Sequence, residues 1–212
     1  GMNNYVLATV DYGGALVVAG DFTSAGSVVA DHIASWNGTS WSALGTLGVT
    51  PIALESLASY HGDLIAGGYD AEMQSVFIGR WDGLTWSDMG QGLQGGGVHA
   101  LGIYADTLIA GGDFCCWGGT STALIARWTG SSWVPIGAIS NSVLTLAEYG
   151  SELIAGGLFT SAGGISANYI VRHHGSAWNA LGDGMDGPVQ SLAVFRGDLI
   201  AGGSFTTAGG PG

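Results

Sequence analysis

Five copies of one short apolar motif recur at nearly constant spacing. LVVAG stands at 16–20, and LIAGG at 64–68, 108–112, 153–157 and 199–203. The closing glycines, Gly20, Gly68, Gly112, Gly157 and Gly203, lie 48, 44, 45 and 46 residues apart. An aromatic residue ends the segment before each, at Tyr12, Tyr60, Tyr104, Tyr149 and Phe195, with the same four intervals. A third series is Trp41, Trp86, Trp133 and Trp178, spaced 45, 47 and 45. A fourth runs five residues ahead of it: Trp36, Trp81, Trp128 and then His173. Four series in one register restrict the chain to an architecture that stacks one supersecondary unit.

Each unit reads as four short strands. The first alternates, as in VLTLAEY at 143–149 and VQSLAVF at 189–195, and the LIAGG run is the second. ALIARW at 123–128 exemplifies the third, and SWSALG at 40–45 the fourth. N-G, D-G, T-G and H-G pairs at 37–38, 82–83, 129–130 and 174–175 mark hairpin turns, because glycine accepts positive φ without steric penalty. No segment sustains a 3.6-residue apolar period or carries helix caps, so the chain is all-β. Four antiparallel strands per repeat of this length point to a β-propeller. Complete blades are expected at about 5–45, 52–90, 98–137 and 143–182, with a half-blade at 189–212 as the fifth position. Residues 3–212 are expected to form a single domain and to be a fragment of a longer repeat protein. Gly1 before Met2 reads as the scar of a cleaved tag.

Composition narrows the function classes. Forty glycines with four prolines and no three-residue period exclude collagen. Hydrophobic residues at 47%, with 10% aromatic, exclude a disordered chain. Four arginines, no lysine and a net charge of −12 argue against a nucleic-acid partner. No apolar run has the length of a transmembrane helix, so no membrane insertion is expected. No nucleophile motif, P-loop, dinucleotide fingerprint or metal-hydrolase helix occurs. No catalytic residue, metal site or cofactor is therefore assigned.

The repeat resembles the kelch family of propellers: an apolar strand, a Gly-Gly doublet closing the second strand, then an aromatic, then a Trp opening the fourth. It is similar to glycine-rich relatives in bacterial surface proteins and fungal cortical marker proteins, which share LIAGGxFTxAGG and IARWxGSSW patterns. The first pattern appears here as FTSAGS at 22–27, FTSAGG at 159–164 and FTTAGG at 205–210. The resemblance covers the chain from about residue 5 and implies a propeller. Nothing here resembles the copper-ligating residues of galactose oxidase, so that activity is not carried over.

Repeat positions read as structure. Trp41, Trp86, Trp133 and Trp178 are expected to be packing wedges. Arg80, Arg127 and Arg172 are expected to anchor neighbouring blades through loop carbonyls or a carboxylate such as Asp21 or Asp113. His173 is read as a packed replacement for Trp, and His174 as a turn residue. Asp183-Gly-Met-Asp186 faintly suggests a calcium loop but lacks its ligand spacing, and reads as a connection between blades.

Departures from the repeat carry the candidate ligand-binding residues. Trp117 is the one Trp out of register, in FCCWGG at 114–119, beside Cys115 and Cys116. It is a candidate sugar-stacking platform or partner anchor. The adjacent cysteines are either two free thiols or a strained vicinal disulfide. Asp70 and Glu72 lie in a loop three residues shorter than its counterparts, where they would bind a cation or polar ligand, or form a solvated acidic loop. The leading expectation is a non-catalytic binding or adhesion scaffold, exported or at a cell surface, with a protein or carbohydrate ligand. The alternative is an enzyme of hydrolase or lyase type with a loop-built acidic site. The edge of 198–205 is expected to pair with another copy.

Overall fold

The computed structural model describes residues 1–48, 51–70, 72–116 and 124–209. The first repeat supplies β1 (Val6–Tyr12), β2 (Ala15–Gly20), the short β3 (Ser24–Ala25) and β4 (Val28–Val29), then β5 (Ile33–Trp36) and β6 (Trp41–Ala43). The second supplies β7 (Pro51–Tyr60), β8 (Asp63–Asp70), β9 (Ser75–Trp81) and β10 (Trp86–Asp88). The third begins with β11 (Leu93–Gln94), followed by β12 (Val98–Tyr104), β13 (Thr107–Gly112), β14 (Cys115–Cys116), β15 (Ile125–Trp128) and β16 (Trp133–Pro135). The fourth gives β17 (Val143–Tyr149), β18 (Glu152–Gly157), the short β19 (Ser161–Ala162) and β20 (Ile165–Ser166), then β21 (Ile170–His174) and β22 (Ala177–Ala180). The last hairpin is β23 (Val189–Phe195) and β24 (Asp198–Gly203). No helix is long and apolar enough to cross a membrane.

The long strands form four-stranded sheets in the orders β1-β2-β5-β6, β7-β8-β9-β10, β12-β13-β15-β16 and β17-β18-β21-β22, and one two-stranded sheet, β23-β24. The chain divides into two compact units, Gly1–Gln91 with Gly95–Val98, and Gly92–Gln94 with His99–Gly212. Within the first, Val17, Ala19 and Ile33 pack against Leu54, Leu57, Leu64, Ala66, Phe77 and Trp81 of the next sheet. Within the second, Ile109 and Ile125 pack against Val143, Leu153, Ala155, Val171 and Trp178. In the second, third and fourth repeats the second strand is covered on both faces, which is why LIAGG is a continuous apolar run rather than an alternating one.

The two glycines of the doublet do different jobs. A Cβ on the second would strike backbone in or just before the first strand: the Ala53 carbonyl at Gly68, the Ser142 carbonyl at Gly157 and the Pro188 carbonyl at Gly203. A register irregularity in the first strand lies beside each contact. The first glycine instead receives the valine that opens the following repeat. An added Cβ would lie 2.7 Å from Val98 Cγ1 at Gly67, 2.5 Å from Val143 Cγ1 at Gly111 and 2.6 Å from Val189 Cγ1 at Gly156. Beyond the doublet, Phe22, Phe114 and Phe159 are fully buried, each contributing about 1.5–3 kcal/mol of apolar transfer.

In the first, third, fourth and last repeats the stretch after the second strand is tied back to the residues preceding its own first strand. Met2, Ile139 and Met185 bridge Ala25, Ala162 and Ala208, and Leu93 pairs with Cys116. A neighbouring side chain then accepts two backbone N–H groups. Asn3 takes those of Thr23 and Ser24, Ser140 those of Thr160 and Ser161, and Asp186 those of Thr206 and Thr207. Asp186 also accepts the Thr206 hydroxyl at 2.6 Å. That hydroxyl and the backbone amides hold its carboxyl at a pKa of about 2. The segment 183–186 is thus a connection whose Asp186 is engaged by the chain itself.

Gly156→Ala forces a methyl against Val189 Cγ1 and Thr145 Cγ2 and is expected to lower stability by about 1–3 kcal/mol. Gly202 is its counterpart in β24 and has no atom within 4 Å of an added Cβ. Gly202→Ala is therefore expected to leave stability unchanged or raise it by about 0.4–1 kcal/mol. Urea midpoints of the two variants check this; equal losses would contradict it.

Candidate functional site

The two tryptophan series, five residues apart, are cross-strand neighbours on the third and fourth strands of each sheet. Trp36 faces Trp41, Trp81 faces Trp86 and Trp128 faces Trp133. Their ring centroids are 5.1, 5.5 and 5.3 Å apart, tilted by 44°, 44° and 53°. Such offset aromatic pairs add about 0.5–1.5 kcal/mol beyond their area burial. The fourth-strand Trp also reaches the preceding sheet, where its indole N–H donates to a carbonyl. Trp86 bonds Leu44 O at 2.6 Å and Trp178 bonds Ile136 O at 2.9 Å.

The fourth sheet changes this arrangement. His173 stands where the others carry Trp, paired with Trp178 at 4.7 Å and edge-on to Tyr104 at 6.4 Å. In the first unit the six-membered ring of Trp81 covers Gly45, where an added Cβ would lie 2.9 Å from its Cζ3. At the equivalent Gly137 the nearest atoms all belong to Trp178. The imidazole does not fill the space of an indole, and a cleft of about 560 Å³ opens here. Tyr104, Thr107, Ile109 and Arg127 line it from the third sheet, and His173, Ser176 and Trp178 from the fourth.

Two polar features of the cleft lack the partners their positions would supply. His173 is 8% exposed and its buried Nδ1 has no hydrogen-bond partner. Burial, and secondarily the charge on His174, pushes its pKa below the usual 6.5. Arg127 is the second feature. Arg80 pairs with Asp63 at 2.6 Å and Arg172 with Glu152 at 3.6 Å, each acid being the first residue of the adjoining second strand. Thr107 opens that strand beside Arg127, so the acid is missing.

The remaining expected site residues fall as follows. Arg80 and Arg172 bond carboxylates, but within their own sheets rather than Asp21 or Asp113. Asp21 accepts from Asn4, and Asp113 lies 3.3 Å from His99 Nε2. Asp70 is 4% exposed, and its Oδ1 accepts the Glu72 and Met73 N–H groups, closing its own loop. Glu72 is exposed. Cys115 is a half-buried free thiol in β14, and Cys116 pairs with Leu93 through the backbone. Trp117 lies outside the described residues. Trp133 and Trp178 are buried; Trp41 and Trp86 are half-buried. Among the described residues no group of three or more His, Cys, Asp or Glu is placed to hold a metal ion.

No protein-family profile matches the chain, and no curated protein matches it. Solved structures do. The chain is similar to the WD40 β-propeller domain of Doa1, with a TM-score of 0.61 and 16% identity, covering 95% of this chain and 62% of that one. It is also similar to the computationally designed Ika8 protein, with a TM-score of 0.57 and 16% identity, covering 95% of this chain and 56% of that one. The chain thus spans 56–62% of the length of these two structures. The likeness shows the fold: an all-β, β-propeller repeat fold of four-stranded antiparallel sheets.

The His173 environment has a pH consequence. Its folded pKa lies below its unfolded one, so the unfolded chain gains a proton first as pH falls. Stability is expected to drop as pH falls below 6.5, toward the folded pKa. The slope of urea midpoint against pH should be shallower in His173→Phe than in the wild type. An unchanged slope would show that His173 contributes no such linkage.

Proposed function

We propose that this chain is a non-catalytic β-propeller module that works as a binding or interaction scaffold within a larger exported or cell-surface protein. It would provide five blade positions, the last half-built. The observation that carries the reading is the open hairpin β23-β24. In the four-stranded sheets the second strand is paired on both sides, whereas among the described residues β24 pairs with β23 alone. Val194, Phe195 and Ile200 are 47%, 62% and 49% exposed, although Ile65, Ile109 and Ile154, the counterparts of Ile200, are buried. An unpaired edge beside an apolar face is a template for strand addition.

The partner is a second copy, joined through β24 of each across a twofold axis. The direction of the edge groups follows from the repeat. Gly20 N donates to His32 O and Gly157 N to Tyr169 O, both toward the third strand. By the two-residue period, Gly203 and Ala201 present their N–H groups to the open edge of β24. With −12 on each copy, association strengthens as salt screens the repulsion. Light scattering at high protein concentration in moderate salt is expected to show a dimer. Ala201→Pro, which removes one edge donor and leaves the β23 ladder intact, should yield a monomer. A wild type that stays monomeric under these conditions overturns the pairing.

The ligand of such a scaffold is protein or carbohydrate. For a carbohydrate, Trp117 is the stacking platform that its departure from the repeat suggests. A glycan array is expected to show saturable binding that Trp117→Ala abolishes; a blank array rejects this form of the reading.

A further inference from the structure

We infer that the sheet face formed by β1 and β2 of one copy packs on the face of the β23-β24 hairpin of a second copy, with Val6 of the first seated on Gly202 of the other. The chain builds this contact three times within itself. A valine that opens a first strand stands on the first glycine of the preceding doublet: Val98 on Gly67, Val143 on Gly111 and Val189 on Gly156. All three valines are fully buried. Val6 belongs to the same series. It pairs with Gly20 as Val143 pairs with Gly157 and Val189 with Gly203, and the same strand irregularity follows it. Yet Val6 is 42% exposed. Leu16 in β2 is 44% exposed, although its counterparts Leu64, Leu108 and Leu153 are buried. In the fourth repeat the residues at these two positions, Val143 and Leu153, share one cluster with Ile109 of the preceding second strand.

The matching half of the contact is open as well. Gly202 is the first glycine of the last doublet and pairs with Ser191 as Gly156 pairs with Thr145. An added Cβ there meets no atom within 4 Å, so no valine occupies the seat. Ile200 lies on the same face by the two-residue period and is 49% exposed, where Ile65, Ile109 and Ile154 are buried. Ser191 is exposed too, whereas the buried hydroxyls at its position reach the next first strand. Ser56 Oγ donates to Val98 O at 3.0 Å, and Thr145 Oγ1 accepts the Leu192 N–H at 2.9 Å. A seat without a Cβ, flanked by Ile200 and a hydroxyl, is shaped for a strand that opens on valine. Such a strand, β1, is carried by every copy of the chain with that face uncovered. The two surfaces differ, so the contact is heterologous. It uses the face of the hairpin rather than the β24 edge and does not depend on pairing there. The hairpin offers two strands, where β5 adds Ile33 to the packing in the first unit, so the contact is small and transient and does not set the mass in solution.

Covalent trapping tests this on the whole chain. Val6→Cys and Gly202→Cys are each made together with Cys115→Ser and Cys116→Ser, so that every chain carries one thiol. Both substitutions fall at open positions and leave the fold intact. At the internal contacts an added Cβ lies 3.0 Å from the valine Cβ at Gly67 and Gly111 and 3.1 Å at Gly156, within about 1 Å of the Cβ–Cβ span of a disulfide. Mixed in moderate salt under mild oxidation, the two variants are expected to give a disulfide joining one chain of each, identified by mass spectrometry. Ile200→Asp, added to the Gly202→Cys chain, should abolish that product. Absence of the mixed disulfide overturns the inference, as does a mixed disulfide that survives Ile200→Asp. A yield no greater than that of Gly202→Cys joined to itself also overturns it, because an isologous contact gives that result. The β24 edge pairing is judged by mass in solution and this contact by which chains are joined, so either can fail without the other.

Discussion

One contact organises the stacked sheets: a valine at the start of one repeat set against the bare backbone of the preceding second strand. Val143 meets Gly111 and Val189 meets Gly156, at separations that leave no room for a methyl. Because the second strand is central to its sheet, this contact fixes how closely the sheets approach. It also sets the height at which the fourth-strand Trp crosses to a carbonyl of the preceding repeat, as Trp86 does to Leu44 and Trp178 to Ile136. The second glycine serves a separate need, admitting the carbonyl beside the irregular start of the first strand. A doublet is required because one glycine packs within its sheet and the other between sheets.

Given that spacing, the aromatic pair on the third and fourth strands must have a fixed total size. Two indoles satisfy it in the first unit, where Trp81 and Trp86 pack with Val17, Leu57 and Leu64. In the second unit an imidazole stands in for one indole, and Trp178 lies against Gly137, where the nearest atoms to an added Cβ are all its own. Close-packed interiors relax only partially around a missing group, so the volume persists as a cleft. The exchange also leaves a buried ring nitrogen unsatisfied, a defect of about 1–3 kcal/mol.

The periodic part of the fold was legible because a repeat multiplies weak local signals. Strand, doublet and turn recur at fixed offsets, and each sheet falls where its motif places it. The Trp series were legible as positions and the hairpin turns between them as turns, but the pairing of one Trp with the other follows only from the register that each turn sets. The arginine partners were misread for the same reason. Asp63 and Glu152 are diagonal neighbours across a strand pair, and only the register brings them to Arg80 and Arg172. Asn3 and Ser140 give no signal in the sequence, and Asp186 reads there only as part of a connection between blades, because the shared property is an acceptor oxygen rather than a residue type. The cleft was half visible: His173 stood out as a substituted Trp, but its consequence for the neighbouring sheet depends on packing.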